Sequence, residues 1–118
     1  MVWVGAWVDE SHTGENTGDD SMKMVMAVYN MAAEDEVLTA AAEVGAVNYT
    51  KVPRVVGVGR SAGPRLDDHI WPGANTLTLF VVDDALANAL ADTLAALRGE
   101  LGKNGAVKAF VLNVERTV

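Results

Sequence analysis

The sequence predicts an α+β fold, four antiparallel strands with two helices on one face in the order βαββαβ. Three observations predict it. Two apolar runs of strand length, MKMVMAVYN and TLTLFVV, lie far apart in the chain. Two segments between and after them carry apolar residues at helical spacing. Finally, AVKAFVLNV near the C-terminus closes the pattern as a last strand.

Residues 1–21 come first and are read as an N-terminal appendage. VWVGAWV is long enough for a short strand on another surface. DESHTGENTGDDS, at 9–21, is polar, acidic and rich in Gly, Thr and Asp, the composition of a linker. Met22 and Met24 stand where a strand naturally begins, so a translation start placed too far upstream is the alternative reading. The folded domain is expected over residues 22–118.

Within that domain MKMVMAVYN is the first strand. Asn30 then caps a helix over AAEDEVLTAAAEVG, where Val37, Leu38, Ala41 and Val44 share a face and Gly45 ends it. VNYTKVPRVVGVG is the second strand, with Pro53 marking an edge or a bulge. TLTLFVV is the third. Asp83 or Asp84 caps ALANALADTLAALRGEL, in which Leu86, Leu90, Leu94, Leu97 and Leu101 form one stripe. A turn at GKNG leads into the fourth strand. This is the ferredoxin-like split arrangement. It leaves one sheet face bare although the first and third strands are apolar at nearly every position, so a homo-oligomer is expected.

Composition narrows the function. The chain has 118 residues, one domain's worth, and half of them are hydrophobic. It has no cysteine, which excludes disulfides, thiol catalysis and thiolate metal sites and suits a reducing cytoplasm. No apolar run approaches the roughly 20 residues of a membrane span. MVWVGAWVDE lacks the basic start and long apolar centre of a signal peptide. A cytoplasmic protein without membrane insertion is expected. The net charge of −7 is concentrated at the start, in Asp9, Glu10, Glu15, Asp19 and Asp20. The remainder is nearly neutral and offers nucleic acid no basic surface.

No catalytic constellation is present, and an enzyme is not expected. The only histidines are His12 and His69, and GxSxG, HExxH and complete P-loop motifs are absent. Asp67, Asp68 and His69 have the side chains for a divalent metal, but a turn in which the Asp groups bond backbone N–H groups is the favoured reading. Gly57-Val58-Gly59-Arg60 combines glycines that allow close backbone approach with a guanidinium fork for an anion. Gly102-Lys103-Asn104-Gly105, with Lys108 beyond, repeats the combination, although alone it reads as a helix end with a cation near the dipole. In a βαββαβ fold both segments lie at one end of the sheet. Where two subunits meet there, they line one anion-binding cleft. Between them, GVGRSAGPRLDDHIWPG is far longer than an ordinary hairpin loop. Its Trp71 reads as an apolar plug onto a neighbour, or as a stacking platform for a ligand.

From Met22 to Glu115 the wording resembles the P-II signal-transduction family. MKMV opens the first strand; GVGRSAG stands where the family has GxGRxxG at the start of its T-loop; VVDD introduces the second helix. GKNGAVKAFVLNVE keeps register with GKxGDGKxFVxxVE, the family's B-loop and last strand. The resemblance implies a homotrimer that binds an adenine nucleotide (ATP, ADP or AMP) in clefts between subunits. It also implies control of a target protein, such as an enzyme or transporter, through the loop. Gly57, Gly59 and Arg60 would lie at the T-loop base, and Gly102, Lys103, Gly105 and Lys108 on the phosphate side. Arg65, Leu66, Asp67, His69 and Trp71 would belong to the partner-docking portion. The chain departs from the family at Ala106-Val107, which replace an Asp-Gly pair. Its T-loop is shortened and has no tyrosine to modify, and Arg116 alone remains of an RxRTGE-like region. A P-II-like relative rather than a standard nitrogen sensor is therefore expected. The alternative is a trimeric divalent-metal-binding or metal-tolerance protein of CutA-like architecture, using Asp67, Asp68 and His69.

Overall fold

The computed structural model describes residues 2–4, 21–57 and 75–118. They form β1 (Val2–Val4), β2 (Met22–Asn30), α1 (Glu34–Glu43), β3 (Tyr49–Val55), β4 (Asn75–Asp83), α2 (Asp84–Gly105) and β5 (Lys108–Val114). All the strands belong to one sheet in the order β1-β3-β4-β2-β5. Every described pairing is antiparallel. Leaving β1 aside, this is the ferredoxin-like order, with β2 in the interior because both β4 and β5 return to it. The short strand expected near the N-terminus joins this same sheet, beside β3.

The chain turns where its capping groups can satisfy the helix ends. Asn30 Oδ1 accepts from the Ala32 N–H at 2.9 Å, but it starts a single 3-10 turn, Met31–Ala33, that leads into α1. Glu34, Asp35 and Glu36 then face the positive end of the helix dipole. At the other end Gly45 has φ +107°, and the Gly45 and Ala46 N–H groups bond the Ala42 and Ala41 carbonyls. That pair of bonds is a Schellman motif, and it needs the left-handed residue that glycine supplies. Asp83 Oδ1 caps α2 by accepting from the Leu86 N–H at 2.8 Å. Of the two candidate caps it is therefore the first that serves.

Pro53 marks a bulge. The pairing of β3 with β4 shifts between Pro53 and Val55, and Arg54, the extra residue, adopts φ +61°.

The core lies between the helices and one sheet face. Val25, Ala27 and Tyr29 from β2 and Phe80 and Val82 from β4 meet Val37 and Ala41 of α1 and Leu90 and Leu94 of α2. Leu38, Val44, Leu86, Leu97 and Leu101 pack around them, as the two apolar stripes require. The β4 positions facing the helices include Thr76 and Thr78, both fully buried. Thr78 is satisfied by the Tyr29 hydroxyl at 2.8 Å. Burial pushes the Tyr29 phenol up to about 12, against a smaller opposing effect of that hydrogen bond. The alternate residues of the same strands, Met24, Met26, Val28, Leu77, Leu79 and Val81, form the opposite face and are only half-buried. Leu112 and Phe110 continue that face onto β5, opposite Met24 and Met26.

Candidate functional site

The two Gly-plus-cation segments meet the same end of the sheet. Val55, Asn75 and Asn30 are aligned across β3, β4 and β2, and Lys108 pairs with Val28 in β5. Gly57, two residues past β3, and the segment from Gly102 to Lys108 therefore both project from that end. Laterally they are far apart. With β4 and β2 between β3 and β5, three inter-strand spacings separate them, about 14 Å. Within one copy of the chain they stand at opposite flanks.

The Gly102 segment owes its shape to two glycines with different duties. Gly102 adopts φ +62°, ψ −150°, a backbone conformation essentially reserved for glycine, and it breaks α2 there. The chain then makes one more helical turn, so the expected turn at GKNG is a broken helix end. Gly105 is buried against Leu101; a Cβ on it would stand 2.6 Å from the Leu101 Cβ. Ala106 closes the turn in the left-handed region, its N–H bonding the Gly102 carbonyl at 3.3 Å. Lys103 and Lys108 are both exposed. The result is a compact turn at the C-terminal end of α2, with two exposed cations that can meet an anion.

At the other flank Gly57 is exposed and has open space around its Cα. Gly59, Arg60, Arg65, Leu66, Asp67, Asp68, His69 and Trp71 lie outside the described residues. Among the described residues there is no group of three metal-ligating side chains, and no helix is long and apolar enough to cross a membrane.

A groove of about 610 Å³ opens between the two helices, lined by Asp35, Glu36 and Glu43 of α1 and by Thr93, Leu97 and Glu100 of α2, among others. Four carboxylates there make it repellent to a phosphate, and it lies in the helix layer rather than at the sheet end. It is not the anion site. Sequence reasoning gave no hint of it, because its acids are spread over two distant segments.

The family model described as nitrogen regulatory protein P-II matches residues 22–118. A PII-like signalling protein from Thermus thermophilus is similar in structure, with TM-score 0.57 and 28% identity over 80% of this chain and 87% of that one. CPII, a nitrogen regulatory PII-like protein from Thiomonas intermedia bound to ADP, AMP and bicarbonate, gives TM-score 0.58 at 16% identity, covering 83% of this chain and 97% of that one. The same protein bound to ADP, AMP and acetate gives 0.61 at 15%, covering 83% and 90%. At those identities the CPII likeness is one of fold. Among curated proteins none shows significant similarity to the chain.

Proposed function

Because the chain belongs to the nitrogen regulatory protein P-II family, we propose that it is a homotrimeric, P-II-like regulator acting by binding rather than by catalysis. An adenine nucleotide occupies clefts between subunits, and the loop after Gly57 carries its state to a target protein. The observation that carries this reading is the placement of the two Gly-plus-cation segments. They leave the same end of the sheet at opposite flanks, so a shared cleft forms where the β3 flank of one copy meets the β5 flank of the next. CPII, which shares the fold, is bound to ADP and AMP. In this chain Lys103 and Lys108 would face the phosphates from one side, and Gly57, Gly59 and Arg60 from the other. The half-buried apolar sheet face would be covered in the trimer.

Calorimetric titration with ATP, ADP and AMP tests the site. Saturable binding is expected, at least tenfold weaker in Lys103→Ala and in Arg60→Ala, with the oligomeric state unchanged. Binding that ignores both substitutions would remove the cleft from consideration. Shortening the loop by deleting residues 66–70 is expected to abolish partner capture and leave the trimer intact. Loss of the trimer instead would make the loop a structural element.

A further inference from the structure

We propose that the outer edge of β3 is the edge on which a second copy docks, and that the chain's own β1 is its resident competitor. Release of β1 then governs how readily copies assemble. The proposal rests on the inter-subunit cleft described above and adds a control to it.

Three observations carry it. First, β1 pairs antiparallel with β3 through Val2 and Lys51, Trp3 and Thr50, and Val4 and Tyr49. It covers the β3 edge that would otherwise end the sheet. The family match begins only at residue 22, so β1 is an addition to the family domain. Second, the far edge of the sheet is dressed for burial. In β5, Phe110, Val111 and Leu112 are consecutive and exposed by 50%, 46% and 44%. Successive strand residues point to opposite faces, so this edge is apolar on both sides. Beyond β2 it pairs with no other strand among the described residues. Such an edge is a template for another chain. A cleft that joins Gly57 of one copy to Lys103 of the next brings this β5 alongside the β3 that β1 occupies.

Third, β1 is short and weakly held. It has three residues, and the net gain of each ladder hydrogen bond is comparable to the entropy lost in ordering each residue. Val4 lies about 18 Å from Met22, three strands across and about three residues along. Residues 5–21 joining them reach roughly 56 Å when extended. A connection of that length exceeds the distance it must span, so covalent linkage alone does not force β1 to stay on its edge.

The test uses the full chain with Val2→Pro, Trp3→Pro and Val4→Pro combined, since proline cannot donate to the ladder. Sedimentation velocity over a protein-concentration series is compared with the wild type. Amide hydrogen exchange of β3 is followed below the association midpoint. The variant is expected to associate at a midpoint at least tenfold lower, with faster β3 exchange while monomeric. A peptide of residues 1–10 added in trans is expected to raise the midpoint again. An unchanged midpoint would overturn the proposal, and so would a higher one, which would make β1 a bridge between copies. ADP titration of both proteins separates the two readings. A shifted midpoint without ADP binding by either would sink the nucleotide site and leave the role of β1 standing. ADP binding with an unshifted midpoint would do the reverse.

Discussion

Tyr29 is fully buried among apolar side chains, with its hydroxyl on Thr78. Its raised pKa makes a prediction about alkaline pH. Between about 10 and 12 the unfolded phenol ionises while the folded one stays protonated. The folded state then binds more protons than the unfolded, so stability falls as pH rises through that window, by on the order of 1 kcal/mol per pH unit. Denaturant melts from pH 9 to 12 should show this slope, and Tyr29→Phe should flatten it while costing about 1 kcal/mol at neutral pH through the stranded Thr78 hydroxyl. Directly across the sheet from Tyr29, Thr76 Oγ1 is buried with no hydrogen-bond partner among the described residues. Thr76→Val keeps the shape and removes the orphan, so it is expected to be neutral or stabilising by about 1 kcal/mol. A loss of more than that would reveal a partner for the hydroxyl.

Backbone demands at single positions are equally concrete. Gly102→Ala meets no neighbour within 4 Å, yet its φ and ψ suit glycine alone. A loss of about 2 kcal/mol is expected from strain. Gly105→Ala has the opposite cause, since its methyl would overlap the Leu101 side chain at the Cβ itself. That atom cannot swing aside, and a cost of about 2 kcal/mol or more is expected. Thermal melts of the two variants, each titrated also with ADP, would separate the shape of the turn from its use. Both glycines are explained by the turn without any ligand, whereas the exposed Lys103 and Lys108 have no such structural reason among the described residues.

At the scale of elements, much of the fold was legible in the sequence. The leucine stripe of α2 and the Val37–Val44 face of α1 could be read because helical period and burial agree. The strands β2 and β4 could be read from apolar runs that end at Asn30 and Asp83, and β5 from the apolar run after GKNG. Pro53 foretold the bulge because a proline cannot donate to a ladder; which residue would take the positive φ could not be foretold, and Arg54 is an unusual choice. The 3-10 entry to α1 and the extra turn after Gly102 were hidden, since both depend on one or two hydrogen bonds. β3 is also shorter than its apolar stretch, ending at Val55, with Val56 exposed. Asp83 is the cap most open to test. Asp83→Ala should cost about 1 kcal/mol by leaving the Leu86 N–H unpaired, measured by chemical denaturation; Asp83→Asn, which keeps an acceptor, should recover most of it.

The candidate site was less legible than the fold. Sequence order predicts that the segments after β3 and before β5 share an end of the sheet, and they do. Their separation across the sheet follows only from strand order, which the register establishes. That separation is what makes a second copy necessary to any shared site.

At the scale of the whole molecule, the sheet divides its side chains unexpectedly. On β4 the threonines face the helices and the leucines face away. A chain meant to stand alone would reverse them, so the open face reads as an interface. Phe110, half-exposed on β5 and level with Met26, offers the cleanest probe. Phe110→Asp is expected to leave the monomer's circular dichroism and melting temperature nearly unchanged and to abolish the trimer in light scattering. A trimer that survives would move the interface away from this face and edge.

The interior place of β2 also governs how fast the molecule can be made. Met22 pairs with Asp83 on one side and Val114 on the other, roughly 60 and 90 positions along the chain. Such non-local pairing must close large loops before it gains contacts, which favours folding in milliseconds to seconds over microseconds. Until β4 and β5 pair with it, β2 has two unpaired edges and an apolar outward face. Before β5 covers one of those edges, that surface favours aggregation as readily as assembly.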